Sequence, residues 1–529
     1  MKKWFNTTVA LTVAAAVLAA CSGSGEPQSS PEASASQTGA QEKLKLDWFV
    51  MGPVTSTLPP ADKDFIKKTI DAKFNVDLKI DFMANGQDYT NKLNLRISSG
   101  EAPDLFMANG VESNKYIQDG VVMDLTNLVT PKTMPNYFKT WVTEDELKSY
   151  QVQNVFKRAP VPYTRTLYTS YYIRKDWLDK LGLKMPETYE DMISVMKAFT
   201  ENDPDGNGKK DTYGFTDVGN GTSIPRGFPE FYKNGLYGTF LIENDRLIDP
   251  GTDIRMGPVL DDLKKTLSMN IVDPDWLLNK TGQQVEKAQQ GKVGIVYLGY
   301  RTAALDNAAD SMQKKTKEVT NNPNVDWQPF HPWAKTGVNT LPLPGNPFLI
   351  NVKTSAAKAK KSIEILDWLA SAEGFLLTHY GQAGVHYKQT GNKIEPNPDA
   401  FKKDITDNGD FLKVYSFFAP NEPHFLNLEY VDPQETDRDR AILAKIRSYK
   451  FTPNIGTSVV TDPTMNLPEM RKQANQVQIK IVTEEKDASN WPKYRQELMT
   501  KYEGKKILDS YAAQVSKALN RTITFKSEN

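Results

Sequence analysis

Asp203, Asp205, Asn207, Lys209 and Asp211 stand at every second position of NDPDGNGKKDTYGF, residues 202–215, around Gly206 and Gly208. Alternating oxygen donors on a tight turn converge on one point, and calcium takes six to eight hard oxygens at about 2.3–2.6 Å. Counted from Asp203, the loop offers positions 1, 3, 5, 7 and 9, with Lys209 serving through its backbone carbonyl and Gly208 permitting the bend. The departure is position 12, where an EF-hand has a bidentate Glu and this chain has Gly214. Water, Thr212 or a group from elsewhere must then complete the shell. Without metal, the same residues make a plain Asx-Gly turn. A bound ion is expected to be structural, since calcium is a weak Lewis acid and no His or Cys stands nearby to tune a bound water.

Other reaction chemistry is sparse. His331, His379, His386 and His424 show no HExxH pairing. The single cysteine excludes an internal disulfide, a cysteine zinc site and a CxxC redox pair. There is no Walker loop, because Gly291-Lys292 lacks the upstream glycine and the Ser/Thr, and no GxSxG outside the amino-terminal tether. A glycosidase carboxylate pair stays open, since Asp and Glu are frequent throughout. Lys plus Arg, 65, balances Asp plus Glu, 65, leaving no net field to draw in nucleic acid, and none is expected as a partner.

The elements that must position these residues belong to a chain of 529, too long for one ordinary core, so two or more lobes are expected. MKK followed by the apolar WFNTTVALTVAAAVL and then LAAC, ending at Cys21, reads as a signal segment with small residues before the cysteine. An ordinary signal peptide with an incidental cysteine is the alternative. Residues 21–42 hold almost no large apolar side chain and read as a flexible tether. Strand, helix, strand, helix, strand over LKLDWFV to PDLFMANG argues for an α/β lobe with a largely parallel sheet. Its ligands would sit beyond the carboxyl ends of the strands, near Ala108–Ser113. A second α/β unit opens near YYIRKDWLDKLGL, with Thr188 starting a helix that leads into the acidic loop and VGIVYL forming a buried strand. AKAKKSIEILDWLASAEGFLLTHYG reads as one periodic helix ended by Gly381, and the chain beyond His386 as mostly helical.

Five segments in this order, SSGEAPDLF (98–106), DGVVMDLTNLV (119–129), YYIRKDWLDKLGLKMPETYEDM (171–192), QGKVGI (290–295) and LDWLASAEGFLLTHYGQAGVHY (366–387), resemble the extracellular solute-binding lipoproteins of bacterial ABC importers. The likeness is to the large oligosaccharide-binding branch, similar to alginate-oligosaccharide-binding proteins, which carry a similar calcium loop. LAAC likewise resembles the lipobox, in which the signal is cut before Cys21 and the thiol is diacylated; two acyl chains suffice for stable anchoring. The resemblance implies a two-lobe α/β, periplasmic-binding-protein-like fold with a multi-strand hinge and a ligand cleft between lobes. It places lobe one at 43–165 plus 340–378 and lobe two at 166–339 plus 379–529, after a signal peptide of 1–20. The implied protein is a monomer, held to the bilayer through acylated Cys21 on the extracellular face, that captures an oligosaccharide for an ABC permease and is not an enzyme. A surface-anchored calcium-dependent glycan hydrolase or lyase is the alternative, and a structural adhesin a third.

Sugars present an apolar C–H face and a hydroxyl rim, so their sites pair aromatic planes with short polar groups. With 22 Tyr and 9 Trp, the candidates are Trp48, Asn109, Tyr300, Arg301, Trp333, Tyr380 and His386, each near a strand end or an expected crossing, while Trp177 is assigned to the core. Arg301 would suit a uronate. Cys21→Ser is expected to release the protein into the medium or leave an uncut precursor. Unchanged membrane retention with normal processing, read by fractionation and mass, would contradict the anchor.

Overall fold

The computed structural model describes residues 42–526 apart from 111, 149, 152–154, 165–167, 239, 309, 334–335, 340–344, 453–458, 460 and 463. Cys21, the signal segment and most of the tether lie outside the described residues, as do parts of the expected crossings near 165 and 340.

The first sheet forms from apolar runs that alternate with short amphipathic helices. Leu44–Met51 pairs in parallel with Val76–Met83 and with Leu105–Met107, and Phe348–Ile350 adds an antiparallel edge. The intervening helix Phe65–Phe74 begins where the Asp64 carboxylate accepts from the Lys67 amide and ends at Asn75 in the left-handed region. The second sheet has the order Tyr213–Thr216, Val293–Leu298, Ser170–Arg174, Trp327–Phe330; the first pair is parallel and the other two pairs antiparallel. Its middle strands are buried on both faces. Tyr171 and Ile173 face one core, whereas Tyr172 faces another with Val296 and Leu298. The helix expected at Thr188 runs over Tyr189–Glu201 with a full capping box from Thr188 and Asp191, an arrangement that contributes about 1 kcal/mol. Met192, Val195, Met196 and Phe199, spaced for one helical face, are its buried residues.

Three buried clusters divide the folded chain into two lobes. The first draws on residues from Leu46 to Ala159 and from Phe348 to Leu428. The other two cover the two faces of the second sheet, from Tyr168 to Val338 and from Ile442 to Ile523. The chain therefore passes between lobes three times: between Ala159 and Tyr168, between Val338 and Phe348, and between Leu428 and Ile442. Val338–Asn339, where the second passage begins, pairs in parallel with Phe451–Thr452 of the second lobe.

The bounds differ from the expected ones over 379–428, which pack in the first lobe rather than the second. The reason is a dense set of aromatic and polar contacts with that lobe. Phe411 stands edge-on to Phe65, the Tyr415 hydroxyl donates to Asp64 at 2.6 Å, and the Thr57 amide donates to the Gly409 carbonyl at 2.8 Å. The segment is also less helical than expected, with Tyr387–Thr390, Lys393–Pro396 and Glu429–Tyr430 forming a small sheet. The single helix read from 357 to its end at Gly381 is two, Ala356–Leu369 and Ala372–Tyr380. Ser371 breaks it, its hydroxyl accepting from the Gly374 amide, and Gly374 sits where a Cβ would lie 2.1 Å from the Trp368 carbonyl oxygen. No helix among the described residues is long and apolar enough to cross a membrane.

Candidate functional site

The strand directions bring one edge of each sheet to the chain crossings. In the first lobe this edge holds the carboxyl ends at Met51, Met83 and Met107, together with the amino end at Phe348. In the second it holds Thr216, Leu298 and Phe330, with the amino end at Ser170. Ala159 bridges Phe348 directly, so the passage to Ser170 leaves from one edge and enters at the other. Loops on these edges adjoin the space between the lobes, the position where open α/β sheets hold ligands.

On the first edge, half-buried Asn109 follows Met107, and its carbonyl accepts from the Ser113 amide at 2.8 Å. Arg158, fully buried, holds this loop by donating to the Gly110 carbonyl, the Ser113 hydroxyl and the Tyr150 carbonyl. Burial pushes its guanidinium down to about 10.

The second edge carries the aromatic surface. Trp333 stacks on Tyr232 with centroids 4.7 Å apart and planes 18° apart, and Tyr232 stacks in turn on Tyr237 at 5.6 Å and 7°. Tyr171 packs beneath Trp333 at 5.3 Å, and the hydroxyls of Tyr232 and Tyr297 meet at 3.3 Å. Trp333, Tyr237 and Tyr297 are each partly exposed. Gly227 makes this close approach feasible: a Cβ there would lie 2.2 Å from Asp217 Oδ2 and 2.8 Å from the Tyr297 Cβ. Asp217 is fully desolvated, which pushes its carboxyl up to about 7. Sequence pattern pointed to Trp333 but missed Tyr232, Tyr237 and Tyr297; only Tyr297, alternating along VGIVYL, carried a signal.

Of the remaining candidates, Arg301 and Tyr380 come together. Arg301 Nη1 lies 3.7 Å from Glu422 Oε1, and the charge of Arg301 also reaches Tyr380. The Tyr380 hydroxyl donates to Asn421 at 2.7 Å and its ring stacks on Tyr430 at 4.9 Å. Tyr300, half-buried, accepts the Tyr172 hydroxyl on its carbonyl at 2.7 Å. Three candidates are buried instead, Tyr380 at 7% exposed within the first lobe's core among them. Trp48 is 1% exposed and its indole donates to the Ser362 hydroxyl at 3.1 Å, because its place in the strand points it at the helix Ala356–Leu369. His386 is likewise 1% exposed, stacked on Phe65 at 5.3 Å with Nδ1 accepting from the Gln382 amide. Trp177 is buried as expected, under the Arg174 guanidinium at 4.5 Å.

A cavity of about 920 Å³ also lies between lobes, bounded by Thr126–Pro131, Glu144–Lys148 and Lys517–Arg521. None of the ligand candidates lines it, and its walls lack a stacked aromatic face, so the strand-edge cluster is the better carbohydrate surface.

The acidic loop folds as its spacing demands. Asp203 accepts from the amides of Gly206, Asn207 and Gly208 at 2.9–3.0 Å, with Gly206 and Gly208 at φ +78° and +77°. The Asn207 side-chain nitrogen lies between Asp205, at 2.8 Å, and Asp211, at 3.1 Å, a donor where a cation would stand. Asp205 is pushed up by burial and by the hydrogen bond it shares with Asp203, as two adjoining carboxylates would be. Among the described residues, no three acidic, His or Cys side chains stand at metal-ligating geometry. Two expectations about the shell are corrected or explained. The Thr212 hydroxyl is buried and donates to the Phe199 carbonyl at 2.7 Å, so it is not a ligand. Gly214 lies in the second sheet against the preceding helix, where a Cβ would be 2.4 Å from the Met196 Cα.

The profile of the family described as bacterial extracellular solute-binding protein matches residues 56–374. "Lipoprotein LipO" of Bacillus subtilis (strain 168) is 26% identical over 448 residues, 82% of each chain. The "fructooligosaccharide ABC transporter substrate-binding protein FusA" of Streptococcus pneumoniae is 33% identical over 322 residues, 56% of this chain and 57% of its own. A solved EF-hand mutant of FusA with fructo-nystose superposes at a TM-score of 0.57 and 17% identity, covering 90% of this chain and 98% of that one. A human-milk-oligosaccharide (HMO) binding solute-binding protein from Bifidobacterium longum infantis superposes at 0.66 and 17%, covering 92% and 100%.

Installing the EF-hand's twelfth residue by Gly214→Glu should lower the melting temperature by about 2–6 °C, since overpacking costs about 1–3 kcal/mol at about 2 °C per kcal/mol in a long chain. Calorimetric unfolding checks this; a stable variant would show that the strand can yield. The chain belongs to the bacterial extracellular solute-binding proteins.

Proposed function

We propose that this chain is a surface-tethered receptor that holds an oligosaccharide between its lobes and delivers it to an ABC permease. The observation that carries this reading is the Tyr237–Tyr232–Trp333 stack on the second lobe's edge. Ring faces cover the apolar side of a pyranose or furanose, and the Tyr232 and Tyr297 hydroxyls with Asn109 supply directional polar partners for its rim. FusA and the HMO-binding protein, both named for oligosaccharides, support the same ligand class. Lipid attachment at Cys21 to the extracellular face of the membrane accords with the lipoprotein relative.

The loop of Asp203, Asp205, Asn207, Lys209 and Asp211 is proposed to hold one structural calcium. Two carboxylates, Asp205 and Asp211, already adjoin a single amide donor, and Asn207 carries both a donor and an acceptor, so it can face either a carboxylate or a cation. Asp203, Asp205, Asn207 and Asp211 would bind through side chains and Lys209 through its carbonyl, with water completing the shell. The ion would draw together carboxylates that otherwise repel, fixing the turn between the Tyr189–Glu201 helix and the second sheet. The FusA structure titled as an EF-hand mutant supports the assignment.

Thermal shift against plant and algal oligosaccharides, with Trp fluorescence as second readout, should find a stabilising ligand that Trp333→Ala binds at least about tenfold more weakly, or ~1.4 kcal/mol. Sustained release of shorter sugars would favour the hydrolase reading instead. Chelation should lower the melting temperature, calcium should restore it, and Asp205→Ala should abolish the difference. Identical melting with and without calcium would return the loop to a metal-free turn.

A further inference from the structure

The charges around the gap bear on which oligosaccharides enter it, given the receptor reading above. Arg301 belongs to the second lobe, beside buried Ala303 and Ala304. Its partner Glu422 comes from the first lobe's segment ending at Leu428, and the Glu422 side chain is fully buried. A carboxylate removed from water is held in place by its cation, and Glu422 Oε2 also lies 3.8 Å from His424 Nε2. The Arg301 charge is therefore engaged by the protein itself.

Two other arginines of these edges are engaged as well. Arg226, next to Gly227, donates to the Gly238 carbonyl and feels the Asp249 carboxylate. Arg158 is turned wholly to the backbone and Ser113. Beside the aromatic stack the fixed groups are carboxyls. Asp217 adjoins Tyr297 across Gly227, and Glu230 accepts from the Tyr189 hydroxyl at 3.0 Å and the Thr266 hydroxyl at 2.5 Å. Asp217 Oδ2 and Glu230 Oε2 are both buried without a hydrogen-bond partner. Both carboxyls are pushed up by burial, and neither gives an anion a charge partner.

We propose that the cleft selects neutral oligosaccharides and rejects uronate-bearing ones, with Glu422 as the specificity-determining residue that occupies Arg301. A sugar acid would have to compete with a buried carboxylate for the guanidinium and approach an aromatic face that gives it no opposite charge, a penalty on the wrong ligand of the sort that sets specificity.

Titration calorimetry on the calcium-loaded chain, with a panel of neutral trisaccharides including kestose and with trigalacturonate, tests this. A neutral trisaccharide should bind at least ~100-fold more tightly than trigalacturonate, a gap of ~2.7 kcal/mol, and trigalacturonate in excess should fail to displace it. Glu422→Gln keeps the shape and frees Arg301, so it should narrow the gap by ~10-fold or more, and Glu422→Gln with Arg301→Gln should restore it. Trigalacturonate binding by the natural chain as tight as that of the best neutral sugar overturns the proposal and leaves the receptor reading intact. Failure of both sugar classes overturns both. The displacement experiment needs no variant, so it decides even where Glu422→Gln fails to fold.

Discussion

Two of the three passages of chain between the lobes, those after Ala159 and after Val338, run between one edge of each sheet, and that constraint organises the rest. Carboxyl strand ends leave unpaired loop backbone there, which must stay near water or find a ligand. Each lobe buries its own apolar side chains, with Phe49, Phe106 and Leu349 in one core and Phe215, Ile295 and Trp491 in another. The lobes can thus change their relative position while their cores persist. One contact between them is the polar pair of Arg301 with Glu422, and the helices Glu144–Lys148 and Gly504–Leu519 also meet. A polar contact permits movement more readily than a broad apolar one.

Much of the fold was legible because periodicity reports burial. Leu44–Met51, Val76–Met83 and Val293–Leu298 fall where apolar runs placed strands, and Thr188 capped its helix because a β-region Thr three residues before Asp leaves few other options. The break at Ser371 was illegible by the same logic, since Leu369 and Phe375 keep an apolar face across it. Assignment of 379–428 to a lobe depended on long-range partners such as Asp64 with Tyr415, 351 residues apart, which no local pattern carries.

The site was legible in type but only partly in place. An aromatic near a glycine signals either a ligand face or a packed core, and the backbone decides which. Trp48 sits within a strand and points to a helix; Trp333 follows a strand end and stays partly exposed. Glu422 could not be found from sequence, because its meaning arises only when a residue of the other lobe stands 3.7 Å away. The acidic loop was the reverse case, since its donors lie within nine residues and the local turn alone brings them together. Gly214, the one position that departs from the EF-hand pattern, is explained by tertiary packing against Met196.

The central claim is that two preformed lobes close on a ligand held at their facing edges. Small-angle scattering of the calcium-loaded chain, titrated with a bound oligosaccharide, measures that most directly. The account predicts a smaller radius of gyration on saturation, with the scattering described by rigid movement of the two lobes as they stand. Saturating binding with an unchanged radius of gyration would contradict it.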